Sequence, residues 1–268
     1  MIAMELLGYI AAVLIGITLG LIGGGGSILT VPVMVYLFAV PPQPATSYSL
    51  FVVGITSLAG VVTRMKSGMV KVDTALLFGI SSVLTVYLTR KFLIPALPQT
   101  LFHIGNFQVT ASFATMILFA ILMLMSAISM IRNSKKEPVG LVKGKEKNVK
   151  LALYGIGIGL VTGFLGAGGG FLIVPTLVLI CGLNIREAIG TSLLIIACNS
   201  LTGFVGDIGH FEMNWTLLIT ITLLAIAGIL TGTFLSKKIK SEHLKKGFGW
   251  FVLVMGIYII AKEIFFAK

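Results

Sequence analysis

Two glycine clusters hold the residues whose type and spacing are best suited to chemistry. The first runs from Gly23 to Gly26 and precedes Ser27, and the second reads Gly-Ala-Gly-Gly-Gly from Gly166 to Gly170. Such a run interrupts a helix and leaves backbone N–H groups uncovered, because glycine has no side chain. A helix that follows each cluster adds about half a positive charge at its N-terminus. Each cluster therefore predicts an anion site that needs no basic side chain.

Close helix packing is the alternative explanation, since small residues are common where membrane helices meet. Four glycines in a row weaken a helix far more than packing requires, so we favour anion binding. The predicted binding residues in and next to the two clusters are Gly23, Gly24, Gly25, Gly26, Ser27, Gly166, Gly168, Gly169 and Gly170.

Hydroxyl and amide side chains follow both clusters and could donate hydrogen bonds to the oxygen atoms of an anion. The predicted binding residues of this kind are Ser49, Thr191, Ser192 and Asn199. Thr46, Tyr48 and Arg64 are candidates for lining the path of the anion. A serine or threonine can instead bond back to a carbonyl of its own helix, as is common in membranes. For Arg64 the alternative is a guanidinium that reaches out to lipid phosphate, and we expect that contact first.

The composition places these residues in a membrane. Hydrophobic residues make up 57% of the 268 residues and charged residues only 11%, whereas soluble domains carry about 25% charged residues. This excludes a soluble globular protein. The net charge of +11 lies in short connectors between apolar runs, so we do not expect nucleic acid as a partner. The expected partners are the lipid bilayer and a small anion.

Ten apolar segments are bounded by charges, prolines or glycine clusters, and we interpret each as helical. They are 6–22, 27–40, 45–63, 73–90, 108–131, 151–165, 170–182, 188–206, 215–235 and 248–266. The second and seventh segments span roughly 20 Å, which is too short to cross a hydrocarbon core of about 30 Å. We therefore predict that the glycine clusters form the tips of broken or re-entrant hairpins.

The two halves of the chain repeat each other. Residues 20–32 match residues 163–175 at an offset of 143, and Gly60 matches Gly203 at the same offset. The predicted units are a first transmembrane repeat over 1–131, a cytoplasmic linker over 132–150 and a second repeat over 151–268. Five segments per half is an odd number, so the second repeat must be inverted, as in many secondary transporters.

The basic residues predict the orientation. With the central linker inside, sixteen of the 20 basic residues lie in inside connectors, and Arg90, Lys91, Lys262 and Lys268 are left outside. Basic residues collect in cytoplasmic connectors, so we predict that both termini face outward. The acidic residues map to segment ends or connectors, which predicts no buried carboxylate for a proton or a sodium ion.

Other chemistry finds little support. The group of Asp207, His210 and Glu212 has the residue types of a metal site, but a solvated outside loop without a fourth ligand explains it better. We expect no metal, no cofactor and no enzyme activity, because no nucleophile with a base is evident. The roles of Cys181 and Cys198, both inside apolar segments, stay open.

The motifs resemble those of the sulfite exporter TauE/SafE family. They are Gly-Gly-Gly-Gly-Ser-x-x-x-Val-Pro over 23–32, Gly-Ala-Gly-Gly-Gly-x-x-x-Val-Pro over 166–175 and Ala-Ile-Gly-Thr-Ser-Leu over 188–193. The resemblance implies a permease in the plasma membrane of a prokaryote for sulfite, sulfonate, other organosulfur or carboxylate anions. The family's Gly-Thr-Ser-Leu is replaced by Ser-Tyr-Ser-Leu over 47–50, where Tyr48 either narrows the cavity or adds a donor.

The resulting hypothesis is a secondary transporter for a small sulfur-containing oxyanion, such as sulfite or an organosulfonate. We expect export by alternating access around the two glycine hairpins. A passive anion channel on the same scaffold is one alternative, and an uptake permease for carboxylates or sulfonates is another. The exact substrate, the direction, the coupling ion and the oligomeric state are open, with a homodimer as one alternative.

Overall fold

The computed structural model describes residues 2–24, 26–98, 100–104, 107–132, 145–210, 212–236 and 241–266. The first half contains α1 (Ile2–Ile22), α2 (Ser27–Tyr36), α3 (Pro42–Met65), α4 (Val72–Leu88), α5 (Ile94–Ala96), β1 (Thr100–Ile104), β2 (Phe107–Thr110) and α6 (Ala111–Arg132). A π-helical turn, Thr89–Leu93, joins α4 to α5. The second half contains α7 (Lys145–Leu165), α8 (Gly170–Leu179), α9 (Ile185–Asp207), α10 (Trp215–Leu235) and α11 (Ser241–Phe266).

The described residues are helical apart from connectors and one short hairpin, which confirms an all-α polytopic membrane protein. Six helices of the described residues are long and apolar enough to cross a membrane: Met4–Ile22, Pro42–Met65, Val72–Ala96, Ala111–Ser129, Ile185–Asp207 and Trp215–Leu235. The helices that follow the glycine clusters, α2 and α8, have only 10 residues each. At 1.5 Å per residue each is about 15 Å long, half the thickness of a hydrocarbon core.

The ten predicted segments coincide with α1 to α4 and α6 to α11, and most of their boundaries agree to within four residues. The starts of α6, α7 and α11 depart more clearly. Residues 107–110 form a strand rather than the first turn of a helix, and they pair antiparallel with β1. Their aromatic and β-branched residues favour this extended conformation. Two helices begin earlier than predicted, α7 at Lys145 within the proposed linker and α11 at Ser241. Residues 133–144 of that linker lie outside the described residues.

The helices α3 and α9 form the centre of the bundle. They pack against each other. In the most apolar 18-residue stretch of each, 72% of the residues are buried, compared with 33–44% in the other long spans. Around this pair, α10 packs on α3 and α4 packs on α9. The outer helices α6 and α11 pack on each other. The residues that approach the glycine clusters are therefore presented mainly by the two central helices.

Each half of the chain completes the packing of the other half. The helix α1 packs along α10, and its repeat counterpart α7 packs along α4. Glycines make both contacts close. A Cβ atom added to Gly20 would lie 2.5 Å from the carbonyl oxygen of Ile229, and one added to Gly163 would lie 2.8 Å from Cβ of Thr89. Small residues at a membrane helix interface permit this approach of one helix to another.

Candidate functional site

The two glycine clusters break their helices and lie in contact with each other. In the first, α1 ends at Ile22 and α2 begins at Ser27, and in the second, α7 ends at Leu165 and α8 begins at Gly170. A Cβ atom added to Gly24 would overlap the backbone of Gly170, and one added to Gly170 would overlap Gly24. The loops therefore meet backbone to backbone, an approach that only glycine allows. Gly25 lies outside the described residues.

Each loop also contacts the central helix that comes from the other half of the chain. The backbone at Gly23 has φ +84°, and an added Cβ atom would lie 2.7 Å from Cγ2 of Ile189, near the start of α9. An added Cβ atom at Gly166 would lie 2.5 Å from Cβ of Thr46, near the start of α3. Gly23 and Gly166 are separated by the repeat offset of 143 residues, as are Thr46 and Ile189. Equivalent loops thus contact equivalent positions.

The helix N-termini at the loops carry no side-chain cap. The residue before α2 is Gly26 and the residue before α8 is Gly169, and neither has a side chain that accepts from the first turn. Gly169 has φ +68°, a conformation that glycine adopts without strain. The hydroxyl of Ser27 donates to the carbonyl of Gly24 at 2.8 Å. Both N-termini therefore keep the partial positive charge that attracts an anion.

Several buried hydroxyl groups near the loops have no hydrogen-bond partner among the described residues. Predicted residue Ser49 is one of them. The others on the helices that border the loops include Thr30, Thr56, Ser57, Thr162 and Ser200. Buried polar groups are nearly always paired in proteins, so this concentration marks a place where water or a ligand completes the bonding. The sequence analysis did not single out the side chains of Thr30, Thr56, Ser57 and Thr162.

Three predicted donors are engaged in contacts within the fold. Thr191 accepts a bond of 2.9 Å from the backbone N–H of Lys71, the residue before α4. Ser192 donates to the carbonyl of Ile189 at 2.9 Å, which is the back-bonding alternative. Asn199 donates through Nδ2 to Ser82 Oγ at 2.7 Å, and its Oδ1 has no partner among the described residues. The bonds of Thr191 and Asn199 join α9 to α4 and to the residue before it, whereas the bond of Ser192 stays within α9.

Tyr48 is tied to the connector that joins α9 to α10. Its hydroxyl accepts from the N–H of Asn214 at 2.6 Å and donates to the carbonyl of Glu212 at 3.4 Å. The ring itself is buried against the bundle, with 4% of its surface exposed. The connector therefore both donates a hydrogen bond to this hydroxyl and accepts one from it.

A buried ion pair lies at one end of the bundle, and it corrects the sequence analysis. Arg90 Nη1 lies 2.9 Å from Asp207 Oδ2, and both side chains are 1% exposed. The same nitrogen donates to Thr46 Oγ1 at 2.9 Å. The prediction of Asp207 in a solvated loop is wrong, because α9 continues to this residue and the π-helical turn after α4 brings Arg90 to it. A buried carboxylate is thus present, and it is paired.

Arg90 also reaches the second glycine loop. A Cβ atom added to Gly166 would lie 2.7 Å from Arg90 Nη2, and neither Nη2 nor Nε of Arg90 has a hydrogen-bond partner among the described residues. The arginine is the largest fully buried side chain of the described residues. A guanidinium with unused donors therefore borders one glycine loop, in addition to the backbone groups that the sequence predicted.

Arg64 lies at the other end of α3 and is also buried. It is 4% exposed, and its Nη2 donates to the carbonyl of Gly20 at 2.5 Å and to Ser236 Oγ at 3.5 Å. The expectation that its guanidinium reaches out to lipid phosphate is wrong, because the end of α1 supplies an acceptor inside the bundle. Thr46 and Arg64 are 18 residues apart on α3, or about 27 Å along a helix. The two arginines thus mark opposite ends of the bundle.

The family of the chain follows from comparison with known proteins. Residues 8–259 match the family model described as sulfite exporter TauE/SafE. The chain is 30% identical to a probable membrane transporter protein of Xylella fastidiosa, strain Temecula1, over 252 residues that cover 92% of this chain and 91% of the relative. It is 26% identical to the probable membrane transporter protein YunE of Bacillus subtilis, with 96% and 99% covered. No solved structure gives a significant match. The chain belongs to the sulfite exporter TauE/SafE family and is a membrane transporter.

Proposed function

We propose that the protein is a secondary transporter that exports a small sulfur-containing oxyanion, with sulfite as the first candidate, across the plasma membrane of a prokaryote. The observation that carries this proposal is the contact of the two glycine loops, Gly24 against Gly170. Two helix N-termini without side-chain caps begin at these loops. Backbone N–H groups at such termini bind oxyanions.

The exchanged packing of the two halves supports alternating access. Helix α1 packs on α10 as α7 packs on α4, and each loop contacts the start of the opposite central helix. This is the pattern expected of an inverted repeat, in which rocking of one half against the other exposes a central site to each side in turn. With the basic connectors inside, we expect both termini to face outward.

The charges favour a plain anion over a zwitterion. Arg90, which borders the second loop, neutralises Asp207. The helix termini supply positive potential, and the described residues at the loops offer no second carboxylate for an ammonium group. We therefore expect sulfite or a sulfonate to bind more tightly than taurine, whose ammonium group would remain without a counter-charge.

The test is counterflow in proteoliposomes made from the purified protein. With unlabelled sulfite inside, labelled sulfite should accumulate transiently, and taurine should compete weakly. A channel would give flux without counterflow, and a carboxylate permease would respond to acetate instead. In cells, expression should lower internal sulfite if the direction is export.

Matched glycine variants connect the transport to the loops. Gly24→Ala and Gly170→Ala place a methyl group into the contact of the two loops, and we expect both to lose counterflow. Gly157→Ala on α7 is the control, since its Cβ atom would meet nothing within 4 Å. Each variant must first give a single species in detergent. Wild-type rates in well-folded Gly24→Ala and Gly170→Ala proteins would contradict the role of the loop contact.

A further inference from the structure

The end of the bundle that holds Arg64 contains a small pocket, which we call the Arg64 pocket. It is lined by Arg64, Arg186, Ser67, Thr233 and Ser236, with an apolar wall that includes Ile189. Arg64 Nε and Thr233 Oγ1 are buried and have no hydrogen-bond partner among the described residues. The pocket therefore presents a buried cationic donor and a buried hydroxyl donor whose bonds are incomplete.

No acid among the described residues forms an ion pair with either arginine of the pocket. The acid next to Arg186 in sequence, Glu187, pairs with Lys71 at 3.0 Å and accepts from the N–H of Asn184. Two guanidinium groups that share one pocket repel each other, and withdrawal of Arg64 from water adds to that cost. An anion between them would remove the repulsion and complete the free donors.

The repeat shows that this excess of positive charge is specific to one end. At the offset of 143 residues, Arg64 corresponds to Asp207 and Thr233 corresponds to Arg90. The equivalent corner at the opposite end holds Arg90 and Asp207 as a closed ion pair. At the Arg64 end the arginine lies on α3, at the position equivalent to Asp207. The position equivalent to Arg90 holds Thr233. Among the described residues, both ends thus hold a buried arginine, but only one end holds a carboxylate that neutralises it.

The position of the pocket links it to the path of transport. Arg64 donates to the carbonyl of Gly20 in the last turn of α1, three residues before the first glycine loop. Ile189, which lines the pocket, is also the residue that Gly23 contacts. A ligand in the pocket would therefore lie beside the first loop, on the side of the central helices where α3 ends and α9 begins.

We propose that the Arg64 pocket is a second anion site, which binds a compact oxyanion such as sulfite before it reaches the glycine loops. The site recognises a charged group with several oxygen atoms through Arg64 Nε, the guanidinium of Arg186 and the hydroxyl of Thr233. The proposal deepens the proposed function and rests on it for the identity of the transported anion. The binding of an oxyanion in the pocket does not depend on transport.

The experiment measures sulfite and sulfate binding by titration of the delipidated protein in detergent. It is done in the wild-type background and again in the Gly170→Ala background, which separates the Arg64 pocket from the glycine loops. Arg64→Gln should weaken the affinity at least tenfold, and Arg186→Gln should weaken it severalfold. Arg186 is exposed, so its substitution tests the pocket even if Arg64→Gln fails to fold. Lys66→Gln, which removes an exposed charge at the same end of the bundle, is the control and should bind like the wild type.

A phosphate of a lipid headgroup has the same chemistry, and a second arm of the experiment separates the two sources. Phosphatidylglycerol is added to the detergent before the titration with sulfite. Sulfite binding that needs Arg64 in the absence of lipid supports the proposal. Stabilisation by phosphatidylglycerol alone, with no response to sulfite or sulfate, would overturn it in favour of a lipid site.

The outcomes distinguish the pocket from the transport function. Unchanged sulfite affinity in both arginine variants, with normal counterflow of the wild type, overturns the pocket and leaves the proposed function standing. Binding that depends on Arg64 in a protein that shows no sulfite counterflow supports the pocket and refutes the proposed substrate. Gly170→Ala should lose counterflow and keep binding at the pocket.

Discussion

Disruption of the ion pair between Arg90 and Asp207 should show how much this buried pair contributes to the free energy of unfolding. The two groups are 2.9 Å apart and 1% exposed. At this distance unit charges attract by about 6 kcal/mol if the effective dielectric constant is about 20. Most of this attraction offsets the loss of hydration, but removal of one partner leaves the other charge buried and uncompensated, at a cost of about 3 to 5 kcal/mol.

The perturbation is a double-mutant cycle of Arg90→Met, Asp207→Leu and the double variant. We expect each single variant to lower the free energy of unfolding by about 3 to 5 kcal/mol. The double variant should lose less than either single variant, because no unpaired charge remains. The free energy is measured by unfolding the protein with SDS in mixed micelles, followed by circular dichroism.

The exposed pair of Lys71 and Glu187 supplies the control. Its charged atoms are 3.0 Å apart, nearly the same distance, but the side chain of Lys71 is 47% exposed. Lys71→Met should change the free energy of unfolding by about 0 to 1 kcal/mol, as exposed ion pairs usually do. The reasoning would be refuted if Arg90→Met cost no more than Lys71→Met, or if the double variant lost as much as the two single variants together.

Two further predictions concern the orientation and Tyr48. Single cysteines at Lys143 and Asn214, in a background without Cys181 and Cys198, should be labelled from opposite sides of the membrane, whereas labelling of both from one side would refute the inverted repeat. Tyr48→Phe removes the bond to Asn214 and should cost about 1 kcal/mol of stability, while sulfite affinity stays within twofold; a large loss of affinity would place the hydroxyl on the anion path.

The sequence by itself determined the membrane class, the helical segments and the interruptions at the glycine clusters. These features are local, since the length of an apolar run and the backbone freedom of glycine act over a few neighbouring residues. The constant offset of 143 residues also predicts an internal repeat without any coordinates. The strand pair near residues 100–110, the early starts of α7 and α11 and the end of α2 at Tyr36 are the clearest departures from this local prediction.

Only the tertiary structure decided which polar groups meet. Arg90 and Asp207 are 117 residues apart in the chain, and each lies at the end of an apolar run, where sequence alone predicts exposure. Arg64 donates to the carbonyl of Gly20 at the end of α1, and Thr191 accepts from the N–H of Lys71, the residue before α4. At the repeat offset, Arg64 and Asp207 occupy equivalent positions. This was the one sequence signal that could have pointed to a charged residue at both ends of the bundle. Burial of a charge depends on which helices pack beside it, and that packing joins distant segments through contacts that no local pattern encodes.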